Sequence, residues 1–90
     1  MITEHTICAL PEDHPDWRHF AIKVQRRRTG MWVLQWCGLY LSDGDNWLSG
    51  MGDAVEFVGA EALRVAEELA PRLSLDEGYT VARALERGRR

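Results

Sequence analysis

The stretch HFAIKVQRRRTGMWVLQWCGLYL, residues 19–41, contains the longest run of strand-forming residues in the chain. In its first arm Phe20, Ile22 and Val24 alternate with more polar residues, which is the period of a strand with one buried face. Its second arm is apolar on both faces apart from Gln35. The stretch therefore predicts a β-hairpin around which the rest of a sheet is built.

The length of the hairpin loop decides which faces of the two arms join. A two-residue loop would place Val24 opposite Gln35, whereas a three-residue loop at 28–30 places it opposite Leu34 and so pairs apolar residues. The longer loop also puts Gly30 at the position where such loops need a left-handed backbone. Because a slip of one residue would expose a whole apolar face, we expect the three-residue loop.

This register assigns a face to every side chain of the hairpin. The predicted core face carries Phe20, Ile22, Val24, Trp32, Leu34, Trp36 and Tyr40. The other face carries Lys23, Gln25, Arg27, Met31, Val33, Gln35, Cys37, Leu39 and Leu41. An apolar row with a polar rim is typical of a protein interface, so this face predicts a partner or a symmetric dimer. The alternative is that residues 6–10, with Trp17, fold over the row.

Length and composition limit the class of protein. Ninety residues predict one domain over 1–90, and 46% hydrophobic with 28% charged residues is globular composition. The two cysteines, Cys8 and Cys37, are too few for a disulfide framework and are expected to be buried thiols. The chain shows neither a secretory leader nor an apolar run of ~18 residues, so we expect it in the cytoplasm.

The remaining elements complete an α+β domain. We predict a strand at 6–10, turns at 43–44 and 76–78, and a mobile loop at 49–53. Residues 54–58 form a brief strand or lead into the main helix at 60–70, which has Gly59 as N-cap and an apolar stripe of Ala62, Leu63, Ala66, Leu69 and Ala70. A strand at 73–75 follows, and then a last helix at 81–87, which is capped by Thr80 and buries Val81, Ala82 and Leu85. A single helix from Leu75 onward is the alternative for the end of the chain. The predicted fold is an antiparallel meander of three or four strands, with the main helix and the short C-terminal helix on one face.

No catalytic or ligand motif accompanies these elements. His5, His14 and His19 lack the close pairing of zinc ligands, and His14 and His19 are expected to be solvated loop residues. Cys37 and His19 would be diagonal neighbours on the hairpin, without a known nucleophile motif. Asp43 and Asp45 flank a turn glycine and fall far short of a calcium loop. We therefore predict a protein that is not an enzyme and has no catalytic, cofactor-binding or metal-binding residues.

Charge is unevenly distributed along the chain. Residues 41–61 contain five acids and no base, whereas residues 83–90 contain four arginines and one acid. The residues Arg26, Arg27 and Arg28 lie at the hairpin tip near Trp32, an arrangement that can bind single-stranded nucleic acid by charge and stacking. A charged tip that blocks edge pairing is the simpler interpretation.

Three segments resemble a group of small proteins from actinobacteria and their phages. They are LPEDHPDWRHFAIKVQRR (10–27), GMWVLQWCGLYLSDGDNW (30–47) and EALRVAEELAPRLSLDEGYTVARAL (61–85). The shared pattern is a strand ending in LPED, a hairpin with a tryptophan after the turn, a DG turn before a tryptophan, and a final helix, strand and helix. The stretch between Trp47 and Phe57 is shorter here. The resemblance implies the same fold and an actinobacterial or phage origin, and no catalytic residue.

These observations favour a non-enzymatic protein-interaction module. The resemblance narrows it to a phage accessory protein that acts on a host protein in the host cytoplasm. The predicted partner-binding residues are Lys23, Gln25, Arg27, Met31, Val33 and Gln35. The alternative is a nucleic-acid-binding accessory protein that uses Arg26, Arg27 and Arg28, and a small enzyme is a third, weaker hypothesis.

Overall fold

A computed structural model of the chain describes residues 3–43, 46–50, 52, 54–76 and 79–87. Its main feature is an antiparallel five-stranded sheet in which each strand pairs with the next along the chain. The strands are β1 (Glu4–Ile7), β2 (Ile22–Arg26), β3 (Trp32–Trp36), β4 (Leu39–Ser42) and β5 (Asn46–Leu48). The predicted α+β meander is confirmed, with five strands where three or four were expected.

The β2–β3 hairpin has the predicted register. Val24 lies opposite Leu34, and the Gly30 N–H donates to the Arg27 carbonyl at 3.0 Å to close the loop. Gly30 has a φ of +87°, the left-handed conformation expected of it. The alternation of apolar residues and the position of one glycine were therefore sufficient to fix this pairing.

We expect Gly30→Ala to lower the free energy of unfolding by about 1–2 kcal/mol, because an L-residue is strained in the left-handed region. Gly52→Ala is the matched control, since Gly52 has no positive φ and no heavy atom within 4 Å of an added Cβ. Urea denaturation of both variants measures the difference. Equal midpoints for the two variants would show that the loop is not held in this conformation.

The second arm of the hairpin is two strands rather than one. β3 ends at Trp36, and Cys37 and Gly38 reverse the chain so that Trp36 lies opposite Leu39. Their φ angles of +50° and +79° are those of a two-residue type I′ turn. Cys-Gly is a weaker turn signal than Asn-Gly, and here it interrupts a continuous apolar run, so the reversal was not predicted.

This turn exchanges the faces of β4 relative to the prediction. Leu39 and Leu41 lie on the core face and Tyr40 on the opposite face, because Leu39 pairs with the inward-facing Trp36. Leu41 is buried within the hydrophobic core. Cys37 occupies the turn itself and does not lie on a strand face.

The core lies on one side of the sheet. Its central side chains are fully buried: Phe20, Ile22, Val24 and Leu34. Trp32 and Trp36 were also expected in the core; each is half-buried and packs against it from the side. Trp36 contacts Trp47 edge to face, with ring centroids 5.5 Å apart.

Helix α1 (Gly59–Leu69) covers the core face of the sheet. Its buried stripe consists of the small residues Ala62 and Ala66, continued by Ala70 in the short 3₁₀ helix that follows. Small side chains let the helix backbone approach the sheet closely. The helix begins one residue earlier than predicted, so Gly59 is its first residue and Val58 is its N-cap. Val65 also packs on the core, beside the predicted stripe.

The end of the chain follows the prediction of a strand and then a helix. β6 (Ser74–Asp76) and β7 (Tyr79–Thr80) form a two-stranded sheet, and α2 (Val81–Arg87) follows directly. The Thr80 hydroxyl accepts the Arg83 N–H at 3.3 Å, which confirms Thr80 as the cap. Val81 is buried and Leu85 packs on the core as predicted, whereas Ala82 is exposed and Ala84 is buried in its place. The predictions for 44–45, 51, 53 and 77–78 lie outside the described residues.

Candidate protein-interaction surface

One row of side chains crosses the whole sheet on the side away from α1. Thr6 lies opposite Lys23, Lys23 opposite Gln35, Gln35 opposite Tyr40, and Tyr40 opposite Leu48. Because successive side chains of a strand alternate between faces, all five face away from the core. This face of the sheet, called the outer face below, also carries Glu4, Gln25 and Val33.

Val33 is the apolar centre of the outer face. It lies opposite Gln25, whose amide donates to the Glu4 carboxylate at 2.9 Å. Val33 is only 3% exposed, although neither helix covers it, and it lines the same groove as Tyr40. The predicted apolar row is therefore wrong: the two leucines of β4 face the core, and Val33 is shielded at the centre of a mainly polar surface.

Most of the predicted partner-binding residues do share this surface. Lys23, Gln25, Val33 and Gln35 form two adjacent cross-strand pairs of the outer face. Arg27 and Met31 lie just beyond, where the Arg27 N–H donates to the Met31 carbonyl at 2.7 Å. The alternative in which residues 6–10 and Trp17 fold over this face is wrong for Thr6 and Ile7, which extend the sheet as part of β1. Trp17 does lie at one end of the face, beside Lys23 and Gln35.

An open groove of about 860 Å³ lies at the hairpin-tip end of the outer face. Its lining, named the tip groove, comprises Thr3, Glu4, Gln25, Arg26, Arg27, Arg28, Thr29, Val33, Tyr40 and Glu56. Glu56 lies beside Phe57, which bridges to Trp32, and it reaches the hairpin tip. Its carboxylate lies 3.7 Å from the Arg27 guanidinium and accepts the Thr29 hydroxyl at 3.2 Å.

The tip groove holds all three arginines of the nucleic-acid alternative. Arg26 and Arg28 are exposed, while Arg27 is partly neutralised by Glu56. Trp32 lies directly opposite Arg26 in the sheet and faces the core side as predicted, with its ring 5.5 Å from that of His5. The tail arginines at 89 and 90 lie outside the described residues.

A second depression, of about 440 Å³, lies at the opposite end of the outer face. Its lining, named the basic pocket, comprises Thr6, Trp17, Arg18, Ala21, Lys23, Gln35, Cys37 and Gly38. It contains two cations, and none of the described residues that line it is acidic. The two ends of the outer face therefore differ in their acidic residues, because Glu4 and Glu56 line the tip groove and no described acid lines the basic pocket.

Hydrogen bonds from the sheet fix the backbone of the basic pocket. The His19 carbonyl accepts the Trp36 indole N–H at 2.7 Å and the Cys37 thiol at 3.4 Å. The Trp17 carbonyl accepts the Cys8 thiol at 3.5 Å. The short 3₁₀ helix Trp17–His19 is thus held from both sides. Cys37 and His19 do meet, through the backbone of His19 rather than its imidazole.

Both thiols are hydrogen-bond donors in this arrangement. Burial raises the pKa of the Cys37 thiol and that of the Cys8 thiol above their usual values. Each therefore stays protonated at neutral pH, and the thiolate needed for nucleophilic attack is disfavoured. Both were expected to be buried, but Cys8 is only half-buried and Cys37 is exposed.

His14 is buried, which corrects its prediction as a solvated loop residue. It is 7% exposed, and its Nε2 lies 2.6 Å from the Ala84 carbonyl oxygen. Its Nδ1 accepts the Asp16 N–H at 3.0 Å, so Nε2 carries the proton and donates to Ala84. The Tyr79 hydroxyl donates to the Asp16 carboxylate, and the loop before β2 is thereby joined to the C-terminal unit.

Comparisons with known proteins do not assign the chain to a family. No family model, no curated protein and no solved structure matches the chain. Within the described ranges, His, Cys, Asp and Glu side chains nowhere gather in a group of three that could hold a metal ion. None of the helices in the described part of the chain has the length and apolar character needed to cross a bilayer.

Sequence reasoning missed several residues of this surface. Tyr40 and Leu48 reached the outer face only through the unpredicted turn at Cys37 and Gly38. Arg18 and Trp17 belong to an irregular segment, so no periodicity indicated their position beside Lys23. The spacing of Lys23 and Gln35 around the hairpin loop was the one usable signal for the basic pocket.

Proposed function

We propose that the chain is a non-enzymatic protein-interaction module that binds an extended segment of a partner protein across its outer face. The observation that carries this proposal is the position of α1, which packs on the core face, while the described segments outside the sheet reach the outer face only at its ends, with Trp17 and Arg18 at one and Glu56 at the other. An antiparallel sheet can leave one face in water, so exposure alone is not decisive. The shape and charge of the face favour a partner.

The outer face has two depressions, one at each end, which meet at the centre of the hairpin. Lys23 and Gln35 belong to the basic pocket, and Gln25 and Val33 belong to the tip groove. Tyr40 is half-buried and Leu48 is 45% exposed, so both offer apolar surface beside polar groups. Mixed surfaces of this kind, with aromatic and cationic residues, are typical of non-obligate interfaces.

The charges of the face indicate the chemistry of the partner segment. Glu4 is hydrogen-bonded by Gln25, and Glu56 is paired with Arg27, so both acids are already engaged within the chain. Arg18 and Lys23 take part in none of the salt bridges found among the described residues. A segment that carries carboxylates next to apolar residues would complement this surface. In its narrower form, the proposal is a phage accessory protein whose partner is a cytoplasmic host protein.

Capture of partner proteins from a lysate, compared among matched variants, tests the proposal. We expect Lys23→Glu to abolish capture of a protein that the parent retains, because the change reverses charge in the outer face. Arg83→Glu is the control, since it makes the same change in charge at an exposed position of α2. Loss of the same protein from both variants, or from Arg83→Glu alone, would place the binding surface elsewhere.

A nucleic-acid-binding accessory protein is the second candidate, supported by the presence of all three tip arginines in one groove. Phosphate contacts make such binding fall steeply with salt, so titration of a labelled single strand at several salt concentrations separates the two functions. Changing Arg26, Arg27 and Arg28 together to Ser should then remove the binding and flatten the salt slope. A parent that binds no strand at low salt eliminates this candidate.

A further inference from the structure

We infer that the basic pocket binds the C-terminal residue of the partner segment, taking a free carboxylate on an apolar side chain. The inference rests on the proposed function and adds the group that anchors the partner. The volume of the pocket, about 440 Å³, is within the range of sites for small molecules and single residues. The site is therefore large enough for one residue rather than for a folded surface.

The first argument is electrostatic. Arg18 and Lys23 line the same pocket, and the described residues that line it include no carboxylate. The nearest acid along the chain, Asp16, accepts the Tyr79 hydroxyl and is engaged with the C-terminal unit. Two cations in one concave site raise the local concentration of anions, and a guanidinium can bind a carboxylate through two parallel hydrogen bonds.

The second argument concerns the neutral groups of the pocket. Thr6 contributes a hydroxyl, and the Gln35 amide, which donates one proton to the Tyr40 hydroxyl at 3.4 Å, has a second proton to donate. Trp17 and Ala21 supply apolar surface in the same space. In a C-terminal residue the carboxylate and the side chain are attached to the same Cα atom. The carboxylate can therefore contact the cations of the pocket while the side chain contacts its indole.

The third argument is that the walls of the pocket are held in place without a ligand. The Cys8 thiol and the Trp36 indole donate hydrogen bonds to the carbonyls of Trp17 and His19, on either side of Arg18. Lys23 and Gln35 are a cross-strand pair of the central hairpin. A site built on fixed backbone binds with a smaller loss of conformational entropy than a mobile loop does.

The test is a titration of the ¹⁵N-labelled full chain, followed by amide chemical shifts, with N-acetyl-leucine as the probe. We expect saturable shifts at Ala21, Lys23 and Gln35, with little change in the tip groove. N-acetyl-leucine amide lacks the charge and should bind at least about tenfold more weakly, the loss expected for one charge-assisted hydrogen bond. N-acetyl-glycine lacks the apolar side chain and should be weaker by a similar factor, the loss expected for one buried side chain. Inorganic phosphate tests whether any small anion is sufficient.

Matched variants complete the test. Lys23→Met keeps the aliphatic stem and should weaken N-acetyl-leucine binding by about tenfold or more, whereas Arg28→Gln, the same loss of charge in the tip groove, should leave it unchanged. Equal response to the acid and its amide, or to inorganic phosphate and N-acetyl-leucine, would overturn the inference, as would the absence of saturable shifts. A partner that is captured through Lys23 but bears no free C-terminus at the interface would also overturn it, and would leave the proposed function intact.

Discussion

Phe20→Ala should lower the free energy of unfolding by about 3–5 kcal/mol, the cost typical of truncating a large buried aromatic residue. Phe20 is 0% exposed, and its ring lies 5.7 Å from the ring of Tyr79. It therefore packs between the five-stranded sheet and the smaller two-stranded one. Since small domains are stable by only about 5–15 kcal/mol, this single change removes a large part of the total.

Leu48→Ala is the control for Phe20→Ala, because Leu48 is 45% exposed on the outer face. Its effect should be within about 0.5 kcal/mol, as for surface substitutions in general. Thermal and urea unfolding of the two variants provide the comparison. If Phe20→Ala unfolds at the parent midpoint, the core does not lie on the face of the sheet that we assign to it.

His14→Leu should cost about 2–4 kcal/mol, because the change removes the partner of two backbone groups, one in a buried and one in a partly buried hydrogen bond. The imidazole satisfies the Ala84 carbonyl on one side and the Asp16 N–H on the other. Each buried group that loses its hydrogen bond costs about 1–3 kcal/mol, while the added apolar side chain compensates in part. No other side chain links the loop before β2 to α2 among the hydrogen bonds of the described residues.

His19→Leu is the control for His14→Leu, because it makes the same substitution at the second histidine of the loop. The side chain of His19 is exposed, and its described hydrogen bonds are made by its backbone N–H and carbonyl. His19→Leu should therefore leave stability nearly unchanged. Equal destabilisation by the two substitutions would mean that the bond between His14 and α2 contributes nothing.

The central hairpin could be predicted because two independent local signals agree there. Alternation in β2 requires one apolar face, and Gly30 is the residue that accepts the left-handed position of a three-residue loop. Only one register satisfies both, and Val24 lies opposite Leu34 as a result. The same logic placed Lys23, Gln25, Val33 and Gln35 on one face.

The second hairpin could not be predicted because its signals are weak. Residues 31–41 are apolar on both faces, so alternation does not show where β3 ends. Cys37 adopts a φ of +50°, which few non-glycine residues do, and its thiol gains a bond to the His19 carbonyl only in the folded chain. This one error reversed the faces of β4 and produced an apolar row that the outer face does not have.

Contacts between distant parts of the chain account for the other differences. His14 and Ala84 are separated by 70 residues, and nothing in the local sequence around either indicates that they meet. The basic pocket has the same origin, because the irregular segment with Trp17 and Arg18 is placed by side chains of the sheet. Sequence periodicity describes regular elements, and this part of the site lies on a segment that has none.

The proposed function requires that a partner binds the outer face while α1 occupies the inner one. The most direct test is a map of amide chemical-shift changes in the ¹⁵N-labelled chain when it is mixed with a purified partner. We predict changes along the row that crosses the sheet, at Thr6, Lys23, Gln35, Tyr40 and Leu48, with the exposed side of α1 unaffected. Changes confined to the exposed side of α1, at Glu61, Arg64 and Glu68, would contradict the account.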